Sequence, residues 1–278
     1  MRALRGGGLW LCLAMAAGAA APPRLAQGYG QLYDRQFAAA RSEFRQWAAL
    51  HPDDAMGPAS EAVATLFGEL SRLHVVERQF ASGNPNFLAG PQVTAAPAVL
   101  ARLDGELAAS EALAARRLAA DPNDARALLA EGLCHGLAAE ELALLRHRYL
   151  AALAEMKRGR AYARAALAAD PGDVDAELGL GIENYLLGLH AAPVRWLLRL
   201  DGVGTNESRG LQQLRAVAAH GHYFGPYADI LLALAAVGRH DPAAAERRLA
   251  PLARAYPDNA LYARELRRVA AAGHRRSR

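Results

Sequence analysis

Asp121-Pro122-Asn123-Asp124-Ala125-Arg126-Ala127-Leu128-Leu129-Ala130-Glu131-Gly132-Leu133 returns as Asp170-Pro171-Gly172-Asp173-Val174-Asp175-Ala176-Glu177-Leu178-Gly179-Leu180-Gly181-Ile182. The two prolines stand 49 residues apart (171 − 122), and so do the two glycines (181 − 132). Proline disfavours helix at the residue before it and suits the first turn of a new helix, so each copy reads as the end of one helix and the start of the next. A helix-breaking Asp-Pro and an in-helix glycine at fixed offsets point to an array of stacked helical hairpins. The expected fold class is all-α, an α-solenoid of antiparallel hairpins.

Working outward, similar turns stand at His51-Pro52-Asp53-Asp54 and Tyr256-Pro257-Asp258-Asn259. Phe37, Ala40, Phe44 and Trp47 share one helical face, which predicts a helix over 33–50 after a glycine spacer, Gly28-Tyr29-Gly30. A single second helix is expected from Pro58 to Phe80, then a loop over 81–94 dense in glycine and proline. The stripe Leu100, Leu103, Leu107, Ala114, Leu118 predicts a helix over 96–119, with Ser110 and Glu111 marking a less buried middle. Further helices are expected over 123–145, 149–169, 194–200, from Thr205 or Asn206 to Ala219, from Pro226, from Pro242, and over 260–272.

These residues resemble tetratricopeptide repeats, whose unit is about 34 residues of helix-turn-helix with small, aromatic and proline residues at set places. Aligning Pro122 or Pro171 with the family's closing proline puts Gly132 and Gly181 on the small position of a first helix. Aligning Pro52 puts Ala40 on the small position and Phe44 on the aromatic position of a second helix. The longer step of 49 fits a hairpin extended by about two turns per arm, which keeps its packed face in phase. Trp196-Leu197-Leu198-Arg199-Leu200 followed by Gly210-Leu211-Gln212-Gln213-Leu214 is also similar to a group of exported bacterial repeat proteins.

Arg2 and Arg5, an apolar run from Leu9 to about Ala20 and small residues after it read as an export signal over 1–21, too short to span a bilayer, which needs about 20 apolar residues. The expected locale is the bacterial periplasm or beyond it, with one repeat domain over 28–278 ending in a basic tail at 274–278. Without the signal, Cys134 is the one cysteine, so no intrachain disulfide is expected and a buried inert thiol is. The 32 basic residues exceed the 28 acidic ones, for a formal charge of +4, yet setting aside Arg2, Arg5, Arg275, Arg276 and Arg278 leaves 27 against 28. A neutral body removes the electrostatic argument for nucleic-acid binding.

No nucleophile, zinc or phosphate-loop motif is present. Gly179-Leu180-Gly181 lies within a helix, so it is no dinucleotide turn. Glu140, Glu141 and His147 are accounted for as a charged helix face, and no cofactor or metal is expected. His220-Gly221-His222 lacks a third ligand at metal spacing, so a metal-binding or hydrolytic envelope protein is the alternative reading only. What the resemblance implies is a non-enzymatic scaffold that holds a protein or peptide along a concave groove lined by first helices. The groove positions are then Arg126, Leu129, Leu133, His135, Asp175, Leu178, Ile182, Glu183, Asn184 and Tyr185. Leucines at 129 and 178 argue against a clamp for a C-terminal carboxylate. Interhelical hydrogen bonding competes as the role of His135, Glu183, Asn184 and Tyr185.

Overall fold

The computed structural model describes residues 24–83, 91–189 and 206–276, with side chains described to 273. The expected signal at 1–21 and the expected helix at 194–200 lie outside the described residues, as do residues 84–90 of the loop over 81–94. Among the described residues there are twelve α-helices and no strand. They are α1 Leu25–Tyr33, α2 Phe37–Leu50, α3 Met56–Arg72, α4 Val75–Ser82, α5 Pro97–Ala120 and α6 Ala125–Leu144. Then come α7 Tyr149–Ala169, a 3-10 turn at Val174–Ala176, α8 Glu177–Gly188, α9 Glu207–His220, α10 Gly225–Gly238, α11 Pro242–Ala255 and α12 Ala260–Arg276. Helices pack mainly against their sequence neighbours, so the all-helical class and the pairing of elements agree with the expectation.

The turn chemistry sets many of these boundaries. Asp124, Asn206 and Asp241 accept from the backbone N–H three residues on, at 3.0, 3.0 and 2.9 Å, and so cap α6, α9 and α11. The two copies of the repeated phrase diverge at this step. Asp173 accepts from Asp175 N at 3.2 Å. That bond tightens the second copy into the 3-10 turn before α8 begins. Both repeated glycines lie where two helices of a hairpin meet. A side chain on Gly181 would press Leu214 and Gln213 at 3.1–3.2 Å, and one on Gly132 would meet the backbone of Ala163 at 3.5 Å.

Three expectations are corrected. The glycine spacer is helical: Gly28 in α1 lies where the Phe44 ring comes within 2.3 Å of any added Cβ, so glycine serves packing there rather than a loop. The single helix expected over 58–80 is two, because His74 takes a left-handed φ of 52° between α3 and α4. The middle of α5 is not less buried, since Ser110 is fully buried and donates to the Ala55 carbonyl at 2.9 Å. Further along, the helix from Pro226 begins one residue earlier, and α12 runs past Gly273.

Among the described residues, the turn after α1 meets the turn before α12. Tyr33 Oη donates to the Tyr223 carbonyl at 2.9 Å, and Asn259 Nδ2 donates to the Tyr33 carbonyl at 2.8 Å. Asp34 Oδ1 accepts from the backbone N–H groups of Asp258 and Asn259 at 2.8 and 3.1 Å, and Arg268 donates to the Phe80 carbonyl. Beneath this closure Tyr29 touches the rings of Tyr33, Phe44, Tyr223 and Phe224 in one buried aromatic nest. One apolar core extends from Leu25 to Ala235, and a smaller one gathers Phe80 with α10, α11 and α12.

Candidate functional site

The ten groove positions do not form one open surface. Of the positions read as groove candidates, Leu129, Asp175, Leu178, Glu183 and Tyr185 are buried. Leu129 and Leu178 belong to the same core as the aromatic nest, with Leu133 and Ile182 half-buried against it. Glu183 is paired with Arg160 at 2.7 Å, both almost fully shielded. Asn184 Nδ2 donates to Gln213 Oε1 at 2.9 Å and Gln213 Nε2 donates to Glu177 Oε2 at 2.6 Å, a polar ladder joining α8 to α9. Tyr185 is covered by α9, where Gly210 lets the two backbones touch: a side chain there would lie 2.4 Å from Tyr185 N. These polar side chains are spent on holding helices together.

Arg126 and Asp175 lie near the starts of the two copies and do opposite electrostatic work. Arg126 forks onto Asp54, with Nε to Oδ1 at 2.8 Å and Nη2 to Oδ2 at 2.7 Å. The Trp47 indole donates to Asp54 Oδ2 at 2.8 Å. Such a two-pronged guanidinium–carboxylate contact is among the stronger pairings available to side chains. Burial opposes ionisation of Asp54, and the Arg126 fork and Trp47 overcome it, holding the carboxyl below its ordinary range. Asp175 accepts from the backbone N–H groups of His222, Tyr223 and Phe224 at 3.0, 2.9 and 3.2 Å. Burial pushes its carboxyl up in spite of those bonds.

His135 lies between two carboxylates, with Nδ1 2.7 Å from Glu155 Oε2 and Nε2 3.7 Å from Glu131, its ring stacked on Tyr162. Burial raises the Glu131 carboxyl. Cys134 is fully buried, and desolvation pushes its thiol to about 12. The loop at His220-Gly221-His222 is organised by Asp175 and not by ligand geometry. Among the described residues no group of three His, Cys, Asp or Glu side chains is arranged to hold a metal ion. Nor do Glu140, Glu141 and His147 converge: they turn to Tyr227, Arg146 and the Val93 carbonyl.

Among the described residues, an open apolar surface lies at the tip of the α6–α7 hairpin. Tyr149, Leu150 and Leu153 in the first turns of α7 are 44%, 85% and 37% exposed. The core face of α7 runs through Ala152, Gly159, Ala163 and Ala166, and Leu150 stands on the opposite side. Beside this ridge is a small cleft lined by Val75, Arg78, Val93, Leu144, His147 and Tyr149. The turn that presents the ridge is braced by ion pairs. Arg146 Nε donates to Glu141 at 2.7 Å and Nη2 to both oxygens of Asp104 at 2.8 Å. His147, at a left-handed φ of 55°, reaches the Val93 carbonyl at 3.1 Å. The helix expected over 149–169 carried no reading of which of its side chains stay exposed, so the ridge was not anticipated. In comparisons with known proteins, no family model, curated protein or solved structure matches the chain.

Proposed function

We propose that the protein is a non-enzymatic, tetratricopeptide-like scaffold of the bacterial periplasm or cell envelope that holds a protein or peptide partner at the α7 ridge. The observation that carries this reading is the exposed Tyr149–Leu150–Leu153 surface on a turn braced by Arg146. Large apolar side chains held in water are a typical anchor of protein interfaces. The pairing of neighbouring helices and the recurring Pro-x-Asp or Pro-x-Asn turns support the repeat-family part of the reading. Residues 1–21, read as an export signal, support the locale. The partner segment carries apolar anchors and an acidic flank, because Arg78 lines the cleft and Arg148 is exposed beside Tyr149.

The test is site-directed photo-crosslinking from position 150 in cells, read beside capture from an envelope extract by the wild type, Leu150→Asp and Arg164→Asp. A discrete crosslinked partner, a capture loss of about tenfold or more for Leu150→Asp and none for Arg164→Asp are expected. Undiminished capture by Leu150→Asp with an unchanged thermal melt would rule the ridge out.

A further inference from the structure

Val75, Arg78 and Gln79 stand at i, i+3 and i+4 in α4 and so share one face of it, while Phe80 joins the core with α10, α11 and α12. That shared face lines the cleft beside the α7 ridge, together with Val93, Leu144 and His147. Gln79 is only 4% exposed, and its main-chain carbonyl accepts from Ser82 Oγ and Gly83 N at 3.1 Å each. Its side-chain carboxamide, by contrast, has no hydrogen bond to any described residue. Neither polar atom of that group is sealed from solvent, so in a residue this deeply covered the group has its opening in the cleft that Gln79 lines. Buried polar groups normally find partners within the fold, and a carboxamide calls for both a donor and an acceptor. Glu140 Oε2 is without a partner too, but it is sealed, and burial there raises the carboxyl.

The remaining lining decides what fits. Val75, Val93 and Leu144 are apolar, and the free volume of about 30 Å³ suits the head of one side chain and excludes a whole cofactor. Arg78 is turned onto the Leu73 carbonyl, and His147 Nε2 lies 3.1 Å from the Val93 carbonyl, so both are engaged with main chain. A carboxylate entering the cleft would set its lone pairs against the Gln79 oxygen, and an ammonium would leave the Gln79 N–H unmet. A second carboxamide satisfies both atoms, since the two groups lie head to head with each N–H donating to the other's carbonyl oxygen.

We propose that this cleft receives the side-chain carboxamide of an asparagine or glutamine on the partner that docks at the α7 ridge. Gln79 Nε2 donates to the incoming oxygen, Gln79 Oε1 accepts from the incoming NH2, and Val75, Val93 and Leu144 cover the methylene stem. Tyr149 belongs to both the cleft lining and the ridge, so the carboxamide and the apolar anchor over Leu150 are neighbours on one partner segment. This inference rests on the reading of the ridge as the partner's surface and adds an uncharged polar anchor to it.

The test is proton–nitrogen NMR titration of the full chain, following the side-chain NH2 of Gln79 and the backbone N–H of Val93. The probes are propionamide, propionate and N-acetylleucine methylamide, the last presenting main-chain amides. Propionamide is expected to shift both signals saturably with a Kd on the order of 10 mM, and the other two to bind at least about fivefold more weakly. In Gln79→Leu, propionamide binding read at Val93 should weaken by about fivefold or more. Tighter binding of propionate would make the cleft an anion site, and tighter binding of the leucine derivative would make it a reader of main chain; either overturns the proposal. So does the absence of a saturable Gln79 shift with propionamide, or propionamide binding that Gln79→Leu leaves unaltered. The wild-type ranking decides the matter even if Gln79→Leu fails to fold. No partner is present in the titration, so failure here leaves the ridge reading standing, and undiminished capture by Leu150→Asp would remove the ridge without changing the ranking of the probes.

Discussion

The Arg126 guanidinium grips both carboxylate oxygens of Asp54 across 72 residues of chain, and the indole of Trp47 completes the grip. This joins the turn before α3 to the first turn of α6. Arg126→Ala leaves Asp54 partly buried with only Trp47 and a backbone donor, so unfolding free energy should drop by about 1–2 kcal/mol, discounted for the partial exposure of Arg126. Urea melts followed by Trp fluorescence measure it. Because the Asp54 carboxyl is held below its ordinary value, the stability it contributes is present above its unfolded pKa and disappears as pH falls through the lowered folded value. Asp54→Asn should therefore flatten the acid limb of the stability profile.

Glu140 shifts stability in the opposite sense. Its folded carboxyl titrates at about 7 against an ordinary 4.5, so between those values the folded chain holds a proton that the unfolded chain releases. Stability should decline as pH rises through that window, by about 3 kcal/mol in all, and be constant above it. Glu140→Gln should abolish the decline and melt higher than the wild type at pH 8. A Glu140→Gln profile parallel to the wild type across this window would contradict the assignment.

Asp175 is the acceptor for three consecutive backbone N–H groups. Asp175→Ala leaves those donors unmet and should cost about 3 kcal/mol or more. Arg126→Ala, near the start of the first copy, should cost less. The denaturant midpoints of the two variants rank them directly.

Two glycines give opposite expectations for one substitution. At Gly210 a methyl group would lie 2.4 Å from Tyr185 N and 2.7 Å from the Gly181 carbonyl. Gly210→Ala must therefore push α9 off α8 and should destabilise by about 2–3 kcal/mol. At Gly105 in α5 a methyl meets nothing within 4 Å. Gly105→Ala should stabilise by about 0.5–1 kcal/mol through helix propensity alone. Thermal melts of both variants check the pair.

Local chemistry made much of the helix order readable. Proline after Asp121 and Asp170, and capping side chains at Asp124, Asn206 and Asp241, act within a few residues of where they stand. The break at His74 was not readable, because α4 turns away to place Phe80 in a core with α10, α11 and α12, a contact far along the chain. The same limit applies to Glu183 and Asn184. As a sequence they are polar residues on an apolar helix, and only the arrival of Arg160 and Gln213 from neighbouring helices turns them inward. Ser110 looked like a flaw in a stripe until the Ala55 carbonyl met it. Leu150 is the converse case, an apolar residue that no other element arrives to cover.

The contact of Asp34 with the N–H groups of Asp258 and Asn259 bears on how the chain reaches its native state. A repeat array with free ends can nucleate anywhere and fray unit by unit, with stability that adds along its length. Here the turn after α1 is completed only by one 224 to 225 residues later, so neither turn has its full complement of partners until the other has formed. Contacts of such long sequence separation slow folding. They also oppose stepwise opening of the helices on either side of the clasp, so the described helices should unfold in a single transition where an open array would unravel in steps, and adding or deleting one hairpin would break the register that brings Asp34 to Asn259.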